Sequence, residues 1–188
     1  MKTLVFFLEE PSAKEMLEGV LPRFLPNNVT PKYIVFQGKQ DLEKKIESRL
    51  RGWNKPESYF VVMRDQDAGN CSDIKNNLAK KCQEARKSEV LIRIACRELE
   101  SFYLGDLLAV EAGLDITGLS NNQKRRPYRS PDVLCNKPAE TLIKITKNRY
   151  QKMSGSRAIG PHLSLNNSNC SHSFNMLIRG ITKLLNLT

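Results

Sequence analysis

The sequence predicts an α/β fold: a parallel-dominated sheet of about four strands flanked by helices, followed by a basic, mainly helical C-terminal extension. Two observations predict it. Short β-prone apolar runs alternate with segments whose apolar residues recur at helical spacing over residues 1–112, and the connections are short. Such alternation is typical of a parallel sheet covered on both faces. Because the composition changes beyond residue 112, we divide the chain into an α/β core, 1–112, and an extension packed on it, 113–188.

Each element of the core has a local signal. Ser12 and Glu15 form a capping box before an amphipathic segment, and Gly52 is suited to end the second helix. The apolar run at 59–63 has no polar face, so we place this strand at the centre of the sheet. The predicted strands are 3–8, 33–36, 59–63 and 90–95, and the predicted helices begin near Ser12, Asp41, Ile74 and Leu99.

The extension is predicted to consist of loops around two helices. Residues 115–137 and 154–171 are rich in polar and small residues and are expected to be loops. Pro138 fits the first turn of a helix between them. The last helix begins at Ser171 or Ser173, and its apolar stripe is expected to pack on the core.

The charge of the chain is unevenly divided. The formal net charge is +10, from 30 Lys and Arg against 20 Asp and Glu. Residues 1–112 carry 18 basic and 17 acidic residues, whereas residues 113–188 carry 12 and 3, a balance of +9. This asymmetry indicates either a polyanionic partner such as nucleic acid or a solvated basic surface. The candidate nucleic-acid-binding residues are Lys124, Arg125, Arg126, Arg129, Lys144, Lys147, Arg149, Lys152 and Arg157.

Carboxylates follow three of the four predicted strands. Because the carboxyl ends of parallel strands surround one crevice, we expect these acids to meet there. Asp65 and Asp67 are two residues apart and point the same way while the backbone stays extended. Such a cluster requires a cation or a shared proton, and oxygen ligands favour Mg²⁺, with Mn²⁺ as an alternative. The acids concerned are Glu9, Glu10, Asp65, Asp67, Glu98 and Glu100.

Several other classes are disfavoured. The sequence has no Walker loop and no glycine-rich dinucleotide fingerprint, and no apolar run approaches the roughly 20 residues of a membrane span. The five cysteines are odd in number and have no close spacing, so a disulfide framework or a zinc ribbon is not expected and a reduced cytoplasm fits best. His162 and His172 lack further ligands for a zinc site.

The acidic segments resemble those of a known family. Residues 8–12 and 65–67, in their βαβα context, resemble the first two motifs of the TOPRIM (topoisomerase–primase) domain. Residues 97–104 resemble a segment of small TOPRIM-like proteins encoded beside ABC- or SMC-type ATPases, as in bacterial antiphage systems. The resemblance covers roughly residues 1–112.

This resemblance implies a metal-dependent nuclease that acts on DNA or RNA as the effector subunit of an ATPase-coupled antiphage defence system. It implies that Glu9, Asp65, Asp67 and Glu100 are catalytic, and that these four together with Glu98 bind Mg²⁺.

Alternatives remain open at this stage. The first-motif ligand is Glu9 or Glu10; Pro11 restricts Glu10 to extended conformations, and we prefer Glu9 because it matches the motif. The alternative function is a non-catalytic regulatory or nucleic-acid-binding subunit that retains the scaffold. A receiver-like phosphoacceptor domain is disfavoured because it needs a lysine at a later strand end, where this chain has only Arg93.

Overall fold

The protein folds around a four-stranded parallel sheet flanked by helices. The computed structural model describes residues 1–87 and 89–187. The strand order is β2-β1-β3-β4, and all three neighbouring pairs are parallel. This confirms the predicted fold class, and the apolar third strand is internal as predicted. The strands are β1 (Lys2–Leu8), β2 (Val29–Val35), β3 (Ser58–Asp65) and β4 (Val90–Ala95).

Helices cover both faces of the sheet. Alternate residues of β1 enter separate cores: Phe6 packs with α1, α5 and α9, whereas Phe7 packs with α2 and α3. None of the described helices combines the length and apolarity needed to cross a bilayer. The helices are α1 (Pro11–Val20), α2 (Lys39–Arg51), α3 (Cys71–Glu84), α4 (Ser101–Leu104), α5 (Leu107–Leu114), α6 (Pro131–Leu134), α7 (Pro138–Ile145), α8 (Lys152–Ile159) and α9 (His172–Leu184).

The start of α1 differs from the predicted capping box. The helix begins at Pro11 and Glu10 occupies the cap position, so Ser12 lies inside the first turn. The Ser12 hydroxyl donates to Glu10 Oε1 at 2.5 Å, and Glu15 pairs with Arg157. Proline starts the helix here because its fixed φ suits the first turn and its missing N–H needs no partner there.

The edges of two other elements also differ. β2 begins at Val29 and includes Pro31, which an edge strand tolerates because one side of its backbone needs no ladder partner. The helix predicted from Leu99 is divided into α4 and α5, and Asp106 caps α5 by accepting the backbone N–H of Ala109.

The two loops predicted in the extension are confirmed only in part. α6 (Pro131–Leu134) lies within the segment 115–137, and the prediction of a loop over the first residues of 154–171 was wrong, since α8 spans Lys152–Ile159. Its small residues reflect close packing. A Cβ at Gly155 would lie 2.4 Å from a ring carbon of Tyr150, and one at Gly160, directly after the helix, would lie 2.6 Å from the carbonyl oxygen of Met16 in α1. The Ser-rich and Gly-rich composition here therefore permits contact between elements.

The extension packs closely on the core. Position 112/113 falls inside α5, and one hydrophobic core contains residues from both sides of it, such as Phe6 and Phe174. α9 begins after Ser171, whose hydroxyl accepts the Phe174 N–H, and its apolar face packs on β4 as predicted.

Candidate functional site

The carboxyl ends of the strands open onto a pocket of about 420 Å³. Five of the six acids singled out in the sequence line it, and the sixth, Glu100, is fully buried. The pocket also includes the start of α2, where Gly38 (φ 91°) occupies the N-cap position. The lining residues are Glu9, Glu10, Gln37, Gly38, Lys39, Gln40, Asp65, Asp67, Glu98 and Lys152.

Glu9 and Asp65 are neighbours because β1 and β3 are adjacent. Glu9 Oε2 accepts the backbone N–H of Asp65 at 2.9 Å, and the guanidinium of Arg64 lies 3.8 Å from the same oxygen. Burial raises the pKa of Glu9, although this hydrogen bond and Arg64 oppose the shift. Of the two acids after β1, Glu9 is thus the one joined to the end of β3.

Asp65 and Asp67 are in different environments. β3 ends at Asp65, and Asp67 has a left-handed backbone with φ of 54°, so the extended conformation assumed for this pair ends before its second member. Asp65 is 8% exposed, whereas Asp67 Oδ2 accepts a hydrogen bond from Lys39 Nζ at 2.7 Å.

The buried acids Asp65 and Glu100 are electrostatically unfavourable as carboxylates. Burial raises the pKa of Asp65 well above its usual range, and the charges of Glu10, Glu100 and Glu9 raise it further. Burial also raises the pKa of Glu100, although the charge of Lys152 and the hydrogen bond from Tyr150 oppose the shift. Among the described residues, Glu100 Oε2 is buried without a hydrogen-bond partner. A cation at this position would relieve both defects.

Lys152 lies in the acidic pocket rather than on the expected nucleic-acid-binding surface. Its Nζ donates to Glu10 Oε2 at 3.0 Å. Burial alone would lower the pKa of Lys152, but the carboxylates of Glu100, Glu10 and Asp65 raise it overall. The extension therefore contributes a charge to the site in the core.

Glu98 has a local structural contact. Its Oε2 accepts the backbone N–H of Ala139 at 2.8 Å, in the first turn of α7, where a carboxylate also interacts favourably with the helix dipole. Glu98 still lines the pocket, but one of its oxygens is committed to this helix end.

The other candidate basic residues fall into two groups. Arg149 donates to the carbonyl oxygen of Asp115 at 2.8 Å, and Arg157 Nε donates to Glu15 Oε2 at 2.5 Å. The remaining six are exposed and form no ion pair or side-chain hydrogen bond within residues 1–87 and 89–187. These six are Lys124, Arg125, Arg126, Arg129, Lys144 and Lys147.

Two side chains of the site were not predicted from the sequence. Tyr150 donates its hydroxyl to Glu100 Oε1 at 2.9 Å, and Lys39 pairs with Asp67. The signal for Lys39 is its position directly after the glycine that ends the second strand segment. Tyr150 stands in a polar run, and nothing local indicates that it contacts a residue of the core.

The donor chemistry of the pocket fits Mg²⁺, since the acids offer oxygens only. Within the described part of the chain, no three acidic, histidine or cysteine side chains form a group that could hold an ion as they stand. The fit depends instead on the unpartnered Glu100 Oε2 and the crowded, buried Asp65. A bound ion would compete with Lys152 for these carboxylates.

Comparison with known proteins identifies a family without an assigned activity. The model of a domain of unknown function (DUF4276) matches residues 8–182, which include every candidate site residue. Comparisons with curated proteins and with solved structures gave no match. Because the family model spans nearly all of the core and the extension, the chain belongs to the DUF4276 family, a domain of unknown function.

Proposed function

We propose that this protein is a Mg²⁺-dependent, TOPRIM-type nuclease that hydrolyses phosphodiester bonds in DNA or RNA. One observation carries the proposal: acids from three parallel strand ends converge on one pocket, and burial raises the pKa values of Asp65 and Glu100, although Lys152 offsets part of their negative charge. A clustering of carboxylates with raised pKa values in a cleft is typical of functional sites.

The roles of the acids follow from their surroundings. Asp65 and Glu100 would hold Mg²⁺ or Mn²⁺ together with Glu9, and Asp67 would complete the site after leaving Lys39. When bound, the metal would neutralise the phosphate and stabilise the leaving oxygen. Alternatively, Glu9 would act as the general base on the attacking water, because the Asp65 N–H holds its Oε2 in place and burial raises its pKa, which makes it a better proton acceptor than an exposed carboxylate.

The exposed basic residues would hold the nucleic-acid backbone. Lys124, Arg125, Arg126 and Arg129 lie in one exposed segment without partners among the described residues, so phosphates can replace their counterions. Contacts of this kind position a substrate without reading its sequence. We therefore propose no sequence specificity.

A specific observation favours a second candidate, a regulatory or nucleic-acid-binding subunit without catalysis. Lysines already neutralise two of the acids, through the Lys39–Asp67 and Lys152–Glu10 ion pairs. Under this alternative the acids hold at most a structural ion, and metal binding is not followed by turnover.

The biological setting belongs to the same proposal. An ABC- or SMC-type ATPase partner and a role in antiphage defence are supported only by the TOPRIM resemblance. A cytoplasmic location is supported by the five cysteines, all free thiols, as expected in a reducing compartment. Co-expression with a candidate ATPase followed by co-purification tests the partner.

The nuclease is tested by incubating the purified full chain with plasmid DNA and with total RNA, in Mg²⁺ or in EDTA. We expect cleavage in Mg²⁺ only and its loss in Asp65→Asn protein. The matched control is Asp73→Asn, which alters an exposed acid on α3 outside the pocket. Cleavage in EDTA, or cleavage by the Asp65 variant, contradicts the proposal, whereas Mg²⁺ binding without cleavage supports the second candidate.

A further inference from the structure

The side chain of Tyr150 is held in place between the core and the extension. It is 1% exposed and lies between α7 and α8. Its ring packs beside that of Tyr103 at a centroid distance of 5.8 Å, and Gly155 leaves just enough room for it. Its backbone N–H donates to Thr146 Oγ1 at 3.2 Å. The hydroxyl is therefore presented in a defined direction.

The hydroxyl of Tyr150 bonds only one of the two carboxylate oxygens of Glu100. It donates to Oε1 at 2.9 Å, while Oε2 accepts no hydrogen bond from the described residues although Glu100 is 0% exposed. Buried polar atoms are nearly always partnered. The unpartnered Oε2 is thus available to a bound ligand.

The charges around Glu100 favour a cationic ligand over an apolar or anionic one. The charge of Glu100 acts on Asp65 and Lys152, so the carboxylate belongs electrostatically to the pocket at the strand ends. An apolar or anionic ligand would leave the negative charges uncompensated. A small divalent cation with oxygen ligands satisfies both the charges and the unpartnered oxygen.

We propose that Tyr150 is a positioning residue of a divalent-cation site, which holds Glu100 by Oε1 so that Oε2 is free to take the cation together with Asp65. This inference rests on the proposed function, because it uses the same acids. Outer hydrogen-bond partners of this kind orient metal ligands, and their loss typically lowers metal affinity 10- to 100-fold. The extension therefore serves the metal site in addition to any contact with nucleic acid.

Tyr103 provides a matched control for Tyr150. It is equally buried, lies in ring contact with Tyr150, and its hydroxyl has no hydrogen-bond partner among the described residues. Tyr103→Phe and Tyr150→Phe each remove one buried hydroxyl from the same cluster. Only the second change releases Glu100.

The test is calorimetric titration of Mg²⁺ into the full chain, with melting temperature recorded for each protein. We expect Tyr150→Phe to weaken Mg²⁺ binding by about tenfold or more, and Tyr103→Phe to stay within about twofold of wild type. If Tyr150 only docks the extension, Tyr150→Phe lowers the melting temperature and leaves Mg²⁺ affinity unchanged, which overturns the inference.

A second variant keeps the inference testable if Tyr150→Phe does not fold. Glu100→Gln retains an oxygen that can accept the Tyr150 hydrogen bond and removes the charge, so we expect it to fold and to lose Mg²⁺ affinity. Wild-type affinity in this variant overturns the inference. Wild-type protein that binds no Mg²⁺ overturns both proposals, whereas Tyr150-dependent Mg²⁺ binding without cleavage contradicts the nuclease alone.

Discussion

Replacing Asp65 by Asn is expected to stabilise the protein in the absence of metal while abolishing metal binding. The side chain is 8% exposed, and burial together with Glu10, Glu100 and Glu9 raises its pKa. Because the pKa of Asp65 is higher in the folded protein than in the unfolded chain, the unfolded chain binds fewer protons than the folded protein at pH values between these two pKa values. The contribution of Asp65 to the free energy of unfolding is therefore fully present below the unfolded-state pKa, near 3.9, and is lost as the pH rises towards the folded-state pKa.

The size of the effect follows from the kind of charge removed. Asn has nearly the same volume as Asp and retains one oxygen acceptor while it removes the negative charge. Relief of an unfavourable buried charge is worth about 1–2 kcal/mol. For a chain of this size each kcal/mol corresponds to about 2–4 °C in melting temperature, so we expect a rise of roughly 2–8 °C at pH 7.

The assay is thermal unfolding followed by circular dichroism from pH 5 to pH 8 in EDTA and then in Mg²⁺. The gain of Asp65→Asn over wild type should grow with pH, and Mg²⁺ should stabilise the wild type, by about 2.7 kcal/mol at 100 times its dissociation constant, without stabilising the variant. Asp73→Asn is the control and should follow wild type. An Asp65→Asn protein that is less stable than wild type at pH 7, or that is stabilised equally by Mg²⁺, would refute this reasoning.

Three further predictions concern packing, nucleic-acid binding and capping. Gly155→Ala should lower the free energy of unfolding in urea by about 1–3 kcal/mol, because its Cβ would lie 2.4 Å from an aromatic ring carbon, whereas Gly52→Ala, whose nearest contact is at 3.3 Å, should cost less. Arg126→Ala should weaken nucleic-acid binding in fluorescence anisotropy and reduce the slope of log binding constant against log salt concentration by roughly 0.9. Arg157→Ala removes a residue that is paired within the protein and should leave this slope unchanged. Equal slopes for both variants would contradict this assignment. Asp132→Ala should lower the free energy of unfolding in urea by about 1–2 kcal/mol, because the two Asp132 oxygens accept hydrogen bonds from the Ser171 hydroxyl and the Ser173 N–H at the start of α9. An unchanged urea midpoint would show that this cap is dispensable.

The core of the fold was predictable because its signals are local. β4 begins at Val90 and ends at Ala95, as predicted, since a short apolar run needs no distant partner to be recognised. Where tertiary packing determines the secondary structure, local sequence patterns predicted it wrongly. α8 has a sequence typical of a loop, yet Gly155 within it allows close contact with Tyr150, and Gly160 directly after it allows close contact with α1.

The candidate site was predictable only in part. The meeting of acids at one edge follows from parallel strands, so Glu9 and Asp65 were found from the sequence. Their different environments were not. Asp67 turns into a left-handed conformation and pairs with Lys39, while Glu98 accepts a backbone N–H of α7. These outcomes depend on turn geometry and on helices distant along the chain.

The sequence by itself therefore determined the parallel α/β core and which strand ends carry acids, because strand and helix periodicity and strand-end position are properties of neighbouring residues. Only the tertiary structure decided which side chains complete the site. Tyr150 hydrogen-bonds Glu100, 50 residues away in the chain, and Lys152 pairs with Glu10 across 142 residues. The physical reason is that burial, charge compensation and hydrogen-bond partnership are settled by contacts between distant segments, which no local pattern encodes.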